Sequence, residues 1–201
     1  MAEKLKRAFF TRPDVVQISR ELLGKVLCTR LKDGELTTGI IVETEAYSGR
    51  NDRACHANDG RRTERTEVMY RRGGVAYIYL CYGIHHLFNV VTNENDKADA
   101  VLIRAVKPVD GISLMLERRG HDTLSPSLTA GPGRLTQALG IRTTEDGTDL
   151  TGNKIWIEDR GTDPAGEQIT ATKRVGVDYA GEHAERPWRF YLEESEWVST
   201  K

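Results

Sequence analysis

Short β-prone runs closed by tight glycine turns, rather than strands alternating with long helices, are what most limits the folds open to this chain. Lys25–Leu31 and Thr37–Tyr47 flank a turn around Asp33-Gly34-Glu35, and Val75–Cys81 and Phe88–Thr92 flank the tight connection at Tyr82-Gly83. Asp-Gly between β-prone runs is a strong hairpin signal, because glycine takes the positive φ that such turns need. Ala100–Val106 is a further strand candidate after the polar, turn-like Asn93–Asp99, and Ile155–Ile157 and Trp188–Tyr191 read as strand too. Helices are few and short. Val15, Ile18, Leu22 and Leu23 recur at helical spacing from a first-turn Pro13 to a stop at Gly24, with Asp14 and Glu21 as near-neutral fillers. Ser113–Arg119 ends at Gly120 and Arg134–Leu139 at Gly140, while Leu124–Thr129 reads as loop. Hairpin-linked strands with a few helices predict an α+β fold. The expectation is a single domain over residues 1–201, with a largely antiparallel, curved β-sheet, surrounding helices and a protruding β-hairpin.

A chain of 201 residues can bury a substantial core without covalent staples. No apolar run approaches the length of a membrane span, and Met1-Ala2-Glu3-Lys4 opens without a signal-peptide hydrophobic region. Three cysteines, Cys28, Cys55 and Cys81, with no CxxC pair, argue against a disulfide framework or a structural zinc cage. The expected location is a reducing cytoplasm, on the nucleoid in a bacterium. The net charge of -1 argues against a protein that coats nucleic acid indiscriminately. Between Arg50 and Arg72, however, seven arginines (50, 53, 61, 62, 65, 71, 72) face four acids (52, 59, 64, 67). A solvated loop is the plain reading of such a run.

Candidate chemistry begins at Glu43, Glu45 and Tyr47, which share one face of a regular strand at roughly 6–7 Å spacing. A solvated edge-strand face is the ordinary explanation for two glutamates. A carboxylate aligned with an aromatic at a strand end can instead be a general base in a lined pocket. Glu43, Glu45, Asp52 and His56 could also gather round a hard metal ion, as in a metal-dependent phosphodiesterase. No zinc spacing is present, and His85-His86 point to opposite faces of a strand, so metal dependence is the minor reading. Tyr77 and Tyr79 share a strand face, where core packing is the ordinary explanation for Tyr77. Tyr82 falls at a hairpin tip near an arginine cluster, where an aromatic can stack on bases or wedge into a duplex. Gly131-Pro132-Gly133 before a helix could offer backbone N–H groups to a phosphate, though it is no P-loop.

The segments IVETEAYSGRNDRACHA, GRRTERTEVMYRRGGVAYIYLCYGIHHLFNVV, AVLIRAVKP, GPGRLTQALGI and RVGVDYAGEHAERPWRFY run in order from Ile41 to Tyr191. Together they closely resemble the alkyladenine (3-methyladenine) DNA glycosylase family. The resemblance implies a monofunctional DNA glycosylase of base excision repair. Its substrate would be double-stranded DNA containing damaged purines, its product an abasic site with intact strands, and it would need no metal and no cofactor. It implies that Tyr82 enters the duplex, that Tyr47 on one side and His56 with Tyr79 on the other hold the flipped base, and that Asn89 excludes guanine's exocyclic amine. It implies Glu45 as the general base, Arg104 and the Val175 carbonyl as groups that hold the attacking water, and Arg61 as a phosphate contact. Met69 is left between an opposite-strand contact and packing. The proton donor for neutral leaving groups is left between His56 and a water. A monomer with no membrane association is expected. The acidic Thr92–Asp99 loop (Glu94, Asp96, Asp99) departs from what a phosphate-facing surface would carry. Two alternatives remain at this point, the metal-dependent phosphodiesterase and a non-catalytic module that binds damaged DNA.

Overall fold

The computed structural model, described over residues 2–31, 34–161 and 168–201, opens with two short elements that the hydrophobic pattern does not announce, β1 (Glu3–Lys4) and α1 (Arg7–Phe10). Helix α2 (Val15–Glu21) starts two residues after Pro13, because Asp14 is its N-cap and accepts the Gln17 N–H at 2.9 Å. Asp14 is therefore a start signal rather than a filler, the kind of cap that contributes about 1 kcal/mol. Strands β2 (Val26–Arg30) and β3 (Leu36–Tyr47) form the first hairpin. Its turn carries Gly34 at φ 74, with the Gly34 N–H on Leu31 O at 2.9 Å; Asp33 of the expected turn lies outside the described residues. Next come β4 (Ala76–Cys81), β5 (His85–Thr92) and β6 (Asp99–Pro108). Helices α3 (Ile112–Arg119) and α4 (Pro132–Leu139) end at Gly120 and Gly140, both left-handed as the C-cap rule predicts. The chain closes with β7 (Ile155–Asp159), β8 (Ile169–Thr172) and β9 (Arg189–Leu192). The sequence pattern misses β8 altogether.

Among the described residues every strand pairing is antiparallel, in the order β1-β7-β2-β3-β6-β5-β4, with β9 on β3 and β8 on β9. The fold is α+β. β3 is its spine. β6 runs along one edge of β3 from Gly39 to Tyr47, while β2 and then β9 share the other edge. The β3–β6 register shifts on both sides of Glu43, a bulge of the kind that re-aims side chains beside functional sites. The main core packs α2 and α4 against the sheet through Ile18, Leu22, Leu135 and Leu139, with Ile41, Phe88, Ile103 and Phe190 from the strands. A second, smaller cluster lies beneath the arginine-rich loop and joins Cys55, Met69, Tyr77, Val91 and Ala100. It fixes the loop that carries His56 against the sheet.

Candidate active site

One cavity of about 270 Å³ collects the candidate residues: Glu45 and Tyr47 from the end of β3, Tyr79 from β4, Asn89 from β5, Arg104 from β6, and His56 and Val175 from loops. It falls just under the ~300–1,000 Å³ usual for small-molecule sites, with room for a single flat ring system. A larger groove of about 730 Å³ between α4 and the β4–β5 hairpin contains Arg118 and Arg142 but none of these residues. Those candidate residues all line the smaller space.

Glu45 is fully buried, and so is Glu43, which removes the solvated-face explanation for the pair. Both edges of β3 are occupied at this point, and arginines distant in sequence come to meet the carboxylates. Glu45 Oε2 accepts the Tyr47 hydroxyl at 2.6 Å. Its Oε1 accepts the Val175 N–H at 2.8 Å and faces Arg104 Nη1 at 3.2 Å. The recorded contact of Val175 is thus through its N–H. Burial first, and then the charge of Glu45, raise the Tyr47 phenol well above its usual range, so it stays a donor. A carboxylate held by two hydrogen bonds and an ion pair at the wall of a pocket is oriented for general-base work.

On the other wall, His56 and Tyr79 meet edge to face at 4.7 Å between ring centres, and Tyr77 and Tyr79 lie 5.4 Å apart. His56 Nδ1 shares a hydrogen bond of 2.9 Å with the Tyr77 hydroxyl, so Tyr77 is both core and support. Burial, then Arg65 and Arg61, push the His56 imidazole down to about 4, leaving it neutral at pH 7. The Asn89 amide nitrogen donates to Tyr77 O at 3.1 Å and Leu87 O at 3.4 Å, which fixes the side chain in the cavity wall. Met69 is buried in the same wall and packs against this cluster.

At the tip of the β4–β5 hairpin, Tyr82 is 92% exposed and Ile84 70%. Tyr82 (φ 50) and Gly83 (φ 73) both take positive φ, and the Ile84 N–H donates to Cys81 O at 3.2 Å, the pattern of a type I′ turn. A bulky residue in that region is strained, and strain of this kind gathers at functional positions. The arginine run is less positive than its sequence: Arg50 pairs with the buried Asp99, Arg62 with Glu67 and Asp96, and Arg72 with Glu94. The acidic loop is therefore the counter-charge of the arginine loop. Arg61 is exposed and has no ion pair among the described residues.

The metal alternative meets a physical obstacle. Asp52 is taken up by Arg174 in a two-point pair at 2.5 and 2.8 Å, and Glu43 by Arg104 and Arg189 at 2.8 and 2.7 Å. Arg174 was not legible as a site residue, although it directly precedes Val175 in the fifth motif. Its guanidinium also lies 4.8 Å from the centre of the Tyr47 ring. Tyr179 was likewise unforeseen: it lines the cavity, 69% exposed, with its hydroxyl on Ala54 O at 3.1 Å.

Comparison with known proteins places the chain in a family. The family model described as Methylpurine-DNA glycosylase (MPG) matches residues 8–196. The chain belongs to this family. A relative from Desulfitobacterium hafniense (strain Y51), named "Putative 3-methyladenine DNA glycosylase", is 44% identical over 99% of this chain and 100% of its own length. Relatives of the same name from Chlamydia felis (strain Fe/C-56) and Natranaerobius thermophilus (strain ATCC BAA-1301 / DSM 18059 / JW/NM-WN-LF) are 46% and 43% identical, covering 94% and 98% of this chain and 95% and 98% of their own. Family membership makes DNA glycosylase the enzyme class, methylated purines the base class, DNA the substrate and repair of DNA damage the process. Among the described residues, no helix is long and apolar enough to cross a membrane.

Proposed function

We propose that this chain is a monofunctional glycosylase that flips alkylated or deaminated purines from duplex DNA and hydrolyses the N-glycosidic bond with a water activated by Glu45. The observation that carries the reading is the buried Glu45 carboxylate, held by Tyr47, Val175 and Arg104 at the wall of a tyrosine-lined cavity of single-base size. Extrusion of a nucleotide costs a few kcal/mol, and Tyr82, standing clear of the surface, offsets it by filling the vacated stack. Tyr47 on one side and His56 with Tyr79 on the other stack on the flipped base; an electron-deficient alkylated purine gains most from such rings. Asn89, held in the wall, takes the space that guanine's exocyclic amine would need. Arg61 meets a phosphate.

Glu45 takes a proton from water as the oxygen attacks C1′, and its charge stabilises the oxocarbenium-like transition state. The electron pair of the C1′–N bond leaves with the base. A cationic base such as 3-methyladenine or 7-methylguanine departs neutral. Hypoxanthine and ethenoadenine need a proton as well; His56, held down to about 4 and neutral at pH 7, is a poor source of it, which favours water as the donor. Arg104 and the Val175 carbonyl hold the attacking water. The saturation of Asp52 and Glu43 by arginines favours this reading over the phosphodiesterase. Methylated duplex incubated with the protein in EDTA should release free methylpurine and leave strands that break only on later alkali treatment. Strand breaks without alkali, or activity abolished by the chelator, would overturn the proposal.

A further inference from the structure

Glu43 takes no part in the bond cleavage proposed above, yet four donors converge on its buried carboxylate. Oε1 accepts Arg104 Nε at 2.8 Å, Arg189 Nε at 2.7 Å and the Ser199 hydroxyl at 2.9 Å, and Oε2 accepts the Ser199 N–H at 2.7 Å. Burial pushes this carboxyl up, but Arg104, the Ser199 N–H and Arg189 together outweigh it and hold it below the usual range. Arg104 is the element that Glu43 shares with the catalytic wall. Its three guanidinium nitrogens have three different partners: Nε on Glu43, Nη1 at 3.2 Å from Glu45, and Nη2 on the Ser199 hydroxyl at 3.3 Å. The Ser199 hydroxyl donates to one partner and accepts from the other, so a single oxygen ties Glu43 to Arg104.

The segment bearing Ser199 is built to stay in place. Trp197 is buried in the main core, and Arg189 Nη2 donates to the Thr200 carbonyl. A free arginine side chain carries about 2 kcal/mol of rotamer entropy, and a fork fixed at all three nitrogens has already lost it before substrate arrives. Of the five N–H donors of a guanidinium, Nε–H goes to Glu43 and one Nη2–H to Ser199, while Nη1 stays in ion-pair contact with Glu45 at the cavity that Arg104 lines. We infer that Glu43 and Ser199 are positioning residues, which lock the Arg104 guanidinium beside Glu45 from behind, so that the Trp197–Thr200 segment completes the active site. This inference rests on the glycosylase reading above.

The test compares wild type, Ser199→Ala and Ser199→Thr by single-turnover base release from a hypoxanthine duplex and by affinity for a duplex with a stable abasic analogue. Small displacements of a positioned group cost on the order of 10²-fold in rate. Ser199→Ala should lose roughly ten- to a hundred-fold in rate with affinity nearly unchanged, and Ser199→Thr, which keeps the hydroxyl, should recover most of it. The Arg104 Nη resonances should show hindered rotation about Nε–Cζ in wild type and faster rotation in Ser199→Ala. A wild-type rate and wild-type Arg104 dynamics in Ser199→Ala would overturn the positioning role and leave the glycosylase reading standing. Loss of rate and affinity together, with a lowered melting temperature and no recovery in Ser199→Thr, would make Ser199 merely structural. A wild-type protein that releases no base at all would sink the glycosylase reading and this inference with it.

Discussion

Replacing Asp52 by asparagine removes one charge from an ion pair whose two side chains are wholly shielded from solvent. Arg174 Nη1 reaches Asp52 Oδ2 at 2.5 Å and Nη2 reaches Oδ1 at 2.8 Å; the same nitrogens also donate to Ala46 O and His183 O at 2.9 and 3.0 Å. The amide keeps one oxygen for the guanidinium but turns an N–H donor toward the other, leaving a buried cation without a counter-charge. Breaking such a pair by removing one partner costs about 3–5 kcal/mol. At about 2–4 °C per kcal/mol for a chain of this size, Asp52→Asn should melt roughly 6–20 °C below wild type. Activity should fall as well, because Arg174 lies against the Tyr47 ring and precedes the Val175 N–H that holds Glu45. The assay is thermal melting of wild type, Asp52→Asn, Arg174→Met and the double variant, which leaves neither charge alone and should recover part of the loss. A shift of less than about 2 °C in Asp52→Asn would refute the reasoning. Melting of wild type that drops in EDTA, with the variant indifferent, would instead make Asp52 a metal ligand.

Tyr82→Ser should lower the equilibrium constant for base extrusion, read by the fluorescence of a flipped ethenoadenine, while melting stays near wild type because the ring is exposed; unchanged extrusion would remove the wedge. Asn89→Ser should raise excision of undamaged guanine relative to hypoxanthine, by up to about ten-fold for a space-filling contact; a variant still fully selective would sink the gate assignment. His56, ordinarily near 6.5 and held at about 4 in the fold, binds its proton more readily in the unfolded chain. The stability tied to its neutral form is complete above pH 6.5 and falls by about 3 kcal/mol as pH drops toward 4. His56→Gln should flatten unfolding free energy against pH across that window; an undiminished slope would show that other groups titrate there.

What the sequence made legible was local. The hairpin around Tyr82-Gly83, and the helix ends at Gly120 and Gly140, depend on glycine next to a periodic run, and each sits where that signal puts it. The short β1, α1 and β8 carry too few residues for a period to show, and β8 owes its existence to β9, some twenty residues further on. In the candidate site, alternation grouped Glu43, Glu45 and Tyr47, but whether that face was wet or dry depended on Arg104, Arg174 and Arg189, between 57 and 146 positions away. The positive excess of residues 50–72 was misleading for the same reason, because its counter-charges Glu94 and Asp96 sit on the neighbouring loop and Asp99 at the start of β6. Ser199 carried no signal in the sequence; only folding sets its hydroxyl between Glu43 and Arg104.

The most direct test of Glu45 as the general base is single-turnover base release from methylated and hypoxanthine-containing duplexes, in EDTA, for wild type and Glu45→Gln, with duplex affinity measured alongside. Glutamine keeps the shape and the hydrogen-bonding oxygen but cannot take a proton from water. The rate should fall by about 10²–10⁴-fold while affinity holds. A Glu45→Gln protein that releases base at the wild-type rate would contradict the account.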